Sequence, residues 1–318
     1  NAFPTDPFFN LAAEEYLFRH VAEPCFLLWC NEPAVIVGRH QNALAEINYP
    51  YIKQHDIKVI RRLSGGGTVY HDAGNLNFSF IDNRKNAESV DFTKYQTVII
   101  AMLRTFGIQA EAGKRNELLL GGKKISGTAD HVTNKRILHH GTLLFSAGLT
   151  AVEEALRVPT GKFKDKAIQS VRSQVTNISL HLSAPMDMAT FRAQVFRYMM
   201  KHLPNAREYN YSQADLQSIE HLRNEKYMTW EWNFGQSPQY EMKNAINAAG
   251  DTVSMKVQNG ILREIHFSDN LSGNAWTALE QKLLNTPHQE DAIHNKLTAT
   301  PTTERYPIEP DKLIRAMF

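Results

Sequence analysis

The sequence predicts an α/β (α+β) protein built on mixed sheets, not a doubly wound parallel one. Three observations carry this reading. Short strand-like runs and amphipathic helical runs interleave along the chain. Several strand runs meet at glycine-containing turns, which join antiparallel neighbours. No period of roughly 20–50 residues recurs, which excludes solenoids and propellers.

Residues 10–21 (NLAAEEYLFRHV) read as an amphipathic helix. Cys25–Cys30 and Ala34–Gly38 read as short buried strands around the turn Asn31-Glu32-Pro33. Tyr49–His55 reads as a short helix and Ile57–Arg61 as a strand. Thr68–His71 and Leu76–Ile81 are the next strand-like runs. A helix is expected from Asp91 to about Phe106. Asp91 and Thr93 are good caps, and Val98, Ile99, Met102, Leu103 and Phe106 recur at helical spacing. Glu117–Leu120 and Lys123–Ser126 flank Gly121-Gly122, a two-glycine hairpin connection. Ile137–Phe145 is another strand. Helices are expected over 150–157, 187–202 and 213–225, with Pro185 before the second and Pro204 closing it. A break falls over residues 233–238 (NFGQSP). Strands at Thr252–Val257 and Ile261–Phe267 then pair around Gln258-Asn259-Gly260, and helices follow over 274–285 and 289–296. The expected organisation is a large domain over residues 1–235 and a small C-terminal α+β domain over 236–318.

At 318 residues, a domain size of roughly 150 also suggests two domains. Apolar residues make up 42% and charged residues 21%, ordinary for a globular protein, and no apolar run approaches the roughly 18–20 residues a membrane helix needs. The two cysteines, Cys25 and Cys30, lie on opposite faces of one strand and read as buried free thiols, which suits a reducing compartment. Residue 1 is Asn, not Met, and the chain enters its first helix almost at once, which suggests a trimmed or processed start. The net charge of +2 hides a gradient. Residues 113–176 hold eleven Lys/Arg against five Asp/Glu, and residues 239–318 hold eight against ten. A basic middle suits phosphate-bearing or acidic partners. It lacks the dense basic and aromatic stripe of a nucleic-acid binder.

The densest unusual stretch runs Arg61-Arg62-Leu63-Ser64-Gly65-Gly66-Gly67-Thr68-Val69-Tyr70-His71-Asp72 and continues to Asn75, Asn77 and Ser79. Three glycines between strands suit a backbone that turns tightly or approaches a ligand, and bare N–H groups there can cradle an anion. The two arginines can add charge-assisted bonds to phosphate or carboxylate. No Walker Gly-Lys-Ser/Thr follows, and the dinucleotide spacing fails at Tyr70. The bland alternative is a flexible hairpin with surface arginines. A second stretch is Lys123-Lys124-Ile125-Ser126-Gly127-Thr128-Ala129, where adjacent lysines on a strand face opposite ways, so one can point into a site. A third is His139-His140-Gly141-Thr142-Leu143-Leu144, whose histidines cannot share one metal from one face; no metal site is expected. Lys162, Lys164 and Lys166 read as a mobile basic segment, followed by Ser170-Val171-Arg172-Ser173. There is no G-x-S-x-G, and neither cysteine has a base nearby in sequence. The inventory favours holding an anionic substrate over covalent catalysis.

These stretches resemble, in order, the glycine-rich, lysine and following segments of lipoate-protein ligases and lipoyltransferases, and Trp230-Glu231-Trp232-Asn233-Phe234-Gly235-Gln236 with Pro238 fits as well. Chain length and start suggest the animal mitochondrial lipoyltransferases in particular. The resemblance implies a biotin/lipoate-ligase-like large domain with a small domain appended. It implies transfer of lipoyl from lipoyl-AMP to one lysine of a lipoyl domain, in 2-oxoacid dehydrogenase E2 subunits or the glycine-cleavage H protein. Lys124 matches the lysine that contacts the acyl carbonyl and phosphate. Donor binding would fall to Arg61, Arg62, the segment Ser64–His71, Asn75, Asn77, Arg115, Asn116, Ser126–Ala129, His140–Leu143, Lys162 and Val171–Ser173. Two other activities stay open: a complete ligase that makes the adenylate from lipoate and Mg/ATP, and an amidotransferase that moves lipoyl from H protein to E2. No permanent cofactor, nucleic acid or membrane is implied. The expected setting is a monomer in the mitochondrial matrix.

Overall fold

The computed structural model describes residues 5–84, 90–159, 161–171, 173–268, 270–299 and 308–318. Its elements, in chain order, begin with α1 (Pro7–His20), β1 (Cys25–Trp29), β2 (Ala34–Val37), α2 (Ala43–Glu46), α3 (Tyr49–Gln54), β3 (Lys58–Arg61), β4 (Val69–His71) and β5 (Asn75–Asn83). Then come α4 (Thr93–Arg104), β6 (Glu111–Ala112), β7 (Glu117–Leu120), β8 (Lys123–Val132), β9 (Arg136–Leu144), α5 (Leu149–Ala155) and β10 (Phe163–Asp165). The chain continues through α6 (Met188–His202), α7 (Gln213–Leu222), β11 (Tyr240–Ala245), β12 (Thr252–Gln258), β13 (Ile261–Phe267), α8 (Asn274–Leu283), α9 (Glu290–Thr298) and α10 (Pro310–Met317).

Contacts gather the chain into two units, neither continuous in sequence: 1–39 with 57–153 and 170–228, and 40–56 with 154–169 and 229–318. The first unit holds a six-stranded antiparallel sheet, β1-β5-β9-β8-β7-β6, and a three-stranded sheet, β3-β2-β4, in which β2 runs parallel to β3 and antiparallel to β4. The mixed α/β expectation therefore holds.

Strand β5 shows how the sequence builds the site. Its residues alternate polar and apolar, Asn75-Leu76-Asn77-Phe78-Ser79-Phe80. Leu76, Phe78 and Phe80 enter an apolar core with Ile99, Met102 and Leu103 of α4 and Phe191, Val195 and Met199 of α6. Asn75, Asn77 and Ser79 lie on the other face and are also buried. An ordinary amphipathic strand would leave that face wet, and burying it requires partners for each polar group.

Local signals explain the ends of the elements. The Asp91 carboxylate accepts from Thr93 N at 2.8 Å just before α4, and Asp187 caps α6 through Thr190 N. The β7–β8 turn uses Gly121 and Gly122 at φ 55° and 75°, the two successive positive values a tight hairpin asks for.

The second unit carries the antiparallel sheet β10-β11-β12-β13. Here two expectations change. The lysine-rich segment is not a free loop: Phe163, Lys164 and Asp165 pair with Met242, Glu241 and Tyr240 as an edge strand. Backbone pairing with β11 fixes the segment, and the exposed Lys164 ammonium stands 3.6 Å from Glu241. The break read over 233–238 begins inside a wide helical turn, Glu231–Gly235. Cys30 is buried, whereas Cys25 is only half-buried.

Candidate active site

Three segments distant in sequence meet in the first unit. The glycine loop follows β3, and the Cβ position of Gly66 lies 3.8 Å from the Ala129 side chain on β8. The segment before a short 3₁₀ turn, Ile178–His181, closes on both: Thr68 N donates to Ser170 Oγ at 2.8 Å, while Lys124 N donates to Gln174 O at 2.8 Å and Thr176 N to Lys124 O at 3.0 Å.

The arginines do not do what their position in the sequence suggests. The Arg61 guanidinium is fully buried and donates to the carbonyls of Gly38 and Arg39. Arg62, 5% exposed, donates through Nε to Ser64 Oγ at 2.9 Å, through Nη1 to Ile36 O at 3.1 Å, and through Nη2 to Gly65 O at 2.5 Å and Gly67 O at 2.8 Å. Burial pushes both down to about 10, so both remain cations at neutral pH. Arg62 braces the loop from inside and Arg61 holds the Gly38 and Arg39 carbonyls, so neither offers open charge to a phosphate. The Gly65 and Gly67 carbonyls are taken by the Arg62 fork, an outcome no local pattern signals.

This bracing shapes the loop's outer side. In a trans peptide the C=O and the following N–H point opposite ways. With the Gly65 and Gly67 carbonyls turned toward Arg62, the Gly66 and Thr68 N–H groups turn away from it. Ser170 takes the second. Gly66 has φ +85°, where a side chain is strained, and its Cβ position stands 3.2 Å from Arg62 Nη2.

Lys124 is half-buried and Lys123 exposed, as opposite faces of β8 require. The Lys124 side chain folds back over Gly127: a Cβ there would stand 2.9 Å from Nζ and 3.0 Å from Cε. Desolvation lowers the ammonium's pKa, Glu117 opposes that shift, and Arg62 adds to it. A cation held short of full hydration suits the binding of an anion.

The remaining candidates divide. Asn75, Asn77 and Thr142 share the buried polar face, with Asn75 Nδ2 donating to Asn77 Oδ1 at 2.9 Å and Gly127 N reaching Thr142 Oγ1 at 3.5 Å. His140 sits beside Ala129 and touches Ser64. Val69, Tyr70 and His71 form β4. His71 Nδ1 meets Asn31 Nδ2 at 3.1 Å, and burial, with Arg62 and His140 nearby, pushes the ring down to about 3, so it is neutral. Asn116, at φ 57°, accepts from Thr128 N and Oγ1, and Arg115 beside it is exposed.

Leu143 pairs with Leu76 and belongs to the apolar core, because strand alternation turns it away from Thr142. Gly141 lies against Phe78 on that same side. Lys162 lies in the second unit, where its ammonium donates to the Phe318 carbonyl. Val171 and Ser173 are exposed, and Arg172 lies outside the described residues. Sequence reasoning named Ser79 as the end of the glycine-rich stretch but missed Glu14 and Asn31; a carboxylate inside the apolar run of the first helix was the available signal for Glu14.

Four buried polar atoms in this region have no partner among the described residues: His71 Nε2, Asn75 Oδ1, Asn77 Nδ2 and Ser126 Oγ. Each such group costs about 1–3 kcal/mol when left unbonded, so their gathering beside a glycine loop and a half-buried lysine marks a ligand-facing surface.

The chain matches two family models, the lipoyl protein ligase A/B catalytic domain over residues 6–200 and the bacterial lipoate protein ligase C-terminus over residues 237–317. It is 39% identical over 299 residues to a lipoate-protein ligase of Bacillus subtilis, covering 92% of this chain and 90% of the relative. It is 37% identical over 299 residues to lipoate-protein ligase 1 of Staphylococcus aureus, covering 92% and 91%. Among solved structures, it is similar to the bi-partite lipoate protein ligase of Thermoplasma acidophilum, described with its E2 lipoyl domain (TM-score 0.63, 27% identity, 73% of this chain and 93% of that one). It is also similar to a lipoate-protein ligase A bound with ATP (TM-score 0.61, 26% identity, 73% and 95%).

Proposed function

Since this chain belongs to the lipoyl protein ligase A/B family, we propose that it is a complete ATP-dependent lipoate–protein ligase. Relatives matched over about nine-tenths of their length carry the name of ligase, which favours the complete reaction over transfer from preformed lipoyl-AMP alone. In the first half-reaction the lipoate carboxylate attacks the α-phosphate of ATP, forming lipoyl-AMP and releasing pyrophosphate. In the second, a lysine amine of an apo lipoyl domain attacks the acyl carbonyl and AMP leaves.

The observation that carries the reading is the half-buried Lys124 ammonium laid across Gly127, beside the glycine loop. In our reading Lys124 holds the phosphate and steadies charge at the carbonyl as it is attacked. The outward Gly66 N–H adds a neutral donor. The orphaned atoms of His71, Asn75, Asn77 and Ser126 receive the rest of the acyl-adenylate. Fixing donor and amine within reach supplies much of the rate without a protein nucleophile. E2 lipoyl domains are the acceptors in this reading, with H protein as a second acceptor of the same chemistry. Residues 1–235 carry the catalysis and 236–318 act as an accessory part.

The test is to incubate the protein with ATP and lipoate without acceptor, measure pyrophosphate, then add an apo lipoyl domain and weigh it. Pyrophosphate release followed by a lipoyl mass gain is expected. Mass gain from synthetic lipoyl-AMP with no pyrophosphate from ATP would leave a transferase and overturn the ligase reading.

A further inference from the structure

Helix α1 carries a carboxylate, Glu14, that is 1% exposed. Its Oε1 accepts from Ser79 Oγ at 2.5 Å and stands 2.8 Å from His140 Nδ1. On the far side of the ring, His140 Nε2 stands 2.6 Å from Ser64 Oγ. Ser64 Oγ in turn accepts from Arg62 Nε at 2.9 Å, and the same guanidinium grips the Gly65 and Gly67 carbonyls. Trp29 Nε1 donates to Ser79 Oγ at 3.3 Å and completes the other end.

With a single ring proton on His140, one arrangement satisfies every member. The Arg62 and Trp29 nitrogens can only donate. Ser64 Oγ therefore takes the Arg62 hydrogen and gives its own to His140 Nε2. The ring proton then sits on Nδ1 and goes to Glu14, which also receives the Ser79 hydroxyl. Chains of this kind strengthen one another away from water, and removing one member is felt along the line.

We propose that Glu14 is a positioning residue for the acyl-donor site: acting through His140 and Ser64, it sets the direction of the Arg62 guanidinium and thereby the conformation of the Gly65–Gly67 loop. Glu14 also supplies the buried negative charge that balances buried Arg62. With that balance, Arg62 keeps both loop carbonyls turned inward and leaves the Gly66 N–H outward. Without it, the fork is free to reorient toward other acceptors and the loop loses its brace. The consequence for turnover rests on the ligase reading; the consequence for the loop does not.

The experiment is a double-mutant cycle on the full chain with Glu14→Gln, Ser64→Ala and the pair, measuring KM for lipoate, kcat and melting temperature. Glu14→Gln keeps an acceptor for His140, removes the charge and exchanges the second carboxylate oxygen for an amide donor. Each single variant is expected to raise KM about tenfold, the weight of one charge-assisted hydrogen bond, with kcat changed less than about threefold. The pair is expected to be no worse than either alone. Multiplied effects, or a lost active fraction with unchanged KM, would overturn the proposal. If Glu14→Gln does not fold, His140→Gln takes its place in the cycle. A parallel 15N NMR measurement separates this proposal from the ligase reading. The wild-type His140 proton is expected on Nδ1, and the Arg62 Nε–H signal is expected to move in Glu14→Gln. An unmoved Arg62 signal overturns the proposal even if turnover is robust. Absence of any turnover by the wild type sinks the ligase reading and leaves the NMR outcome to decide the relay.

Discussion

Gly127→Ala separates the placement of the Lys124 ammonium from its presence. The new methyl carbon would stand 2.9 Å from Lys124 Nζ and 3.0 Å from Cε, and, its chain neighbours aside, meets no other atom of the described residues within 4 Å. Ordinary contact between such atoms begins near about 3.5 Å, so the ammonium must retreat by roughly 0.6 Å. A displacement of about 1 Å costs on the order of a hundredfold in rate, so a loss of about tenfold to a hundredfold in kcat is expected. Stability should move the other way. Gly127 does not occupy the left-handed region, and replacing a strand glycine by alanine gains about 0.5–1 kcal/mol. The assay is the mass gain of an apo lipoyl domain with lipoate and ATP, run beside a thermal melt. An activity loss with an unchanged or raised melting temperature is expected. Unchanged kcat in a folded variant would refute the role given to Lys124, and parallel loss of activity and stability would refute the geometry.

Lys124→Ala should lower transfer by about a hundredfold to a thousandfold, the loss typical of one charge-stabilising donor, whereas Lys123→Ala, on the exposed face, should transfer at close to the wild-type rate. Equal effects in the same mass assay would mean the face assignment is wrong. Gly66→Val should weaken lipoyl-AMP binding, measured by calorimetry, because the loop needs φ +85° and space beside Arg62; normal affinity in the folded variant would return the loop to an ordinary hairpin. Burial holds His71 at about 3 and His288 at about 4, below the ordinary 6.5. Their contribution to stability is complete above about pH 6.5 and falls as the pH drops, because the unfolded chain takes up protons that the folded chain refuses. In thermal melts between pH 7 and 4, His71→Gln should flatten that acid slope, and an unchanged slope would count against a neutral buried ring.

Much of the local structure was readable because it rests on local constraints. The Gly121-Gly122 and Asn259-Gly260 turns announce themselves, since both residues of each pair adopt positive φ that few other side chains tolerate. The opposite faces of Lys123 and Lys124 follow from strand geometry alone. Strand β11 escaped notice although Tyr240 and Met242 are buried and Glu241 and Lys243 exposed, a period of two. Helix α10 escaped too, despite Pro310 at its start and the spacing of Leu313, Ile314 and Met317.

The sequence by itself determined the family and much of the strand-and-helix order of the large part, because five ordered motifs and their glycines are written in consecutive residues. Only the tertiary structure decided what Arg61 and Arg62 hold. Sequence shows two cations beside a glycine loop; folding places both inside, against carbonyls of their own chain. It also brought Glu14 from the first helix to His140 and Ser64, and grouped residues 40–56 and 154–169 with 229–318. The reason is physical. A turn or a strand face is set by torsion angles of neighbours, whereas the role of a buried charge is set by which distant groups replace the water it has lost.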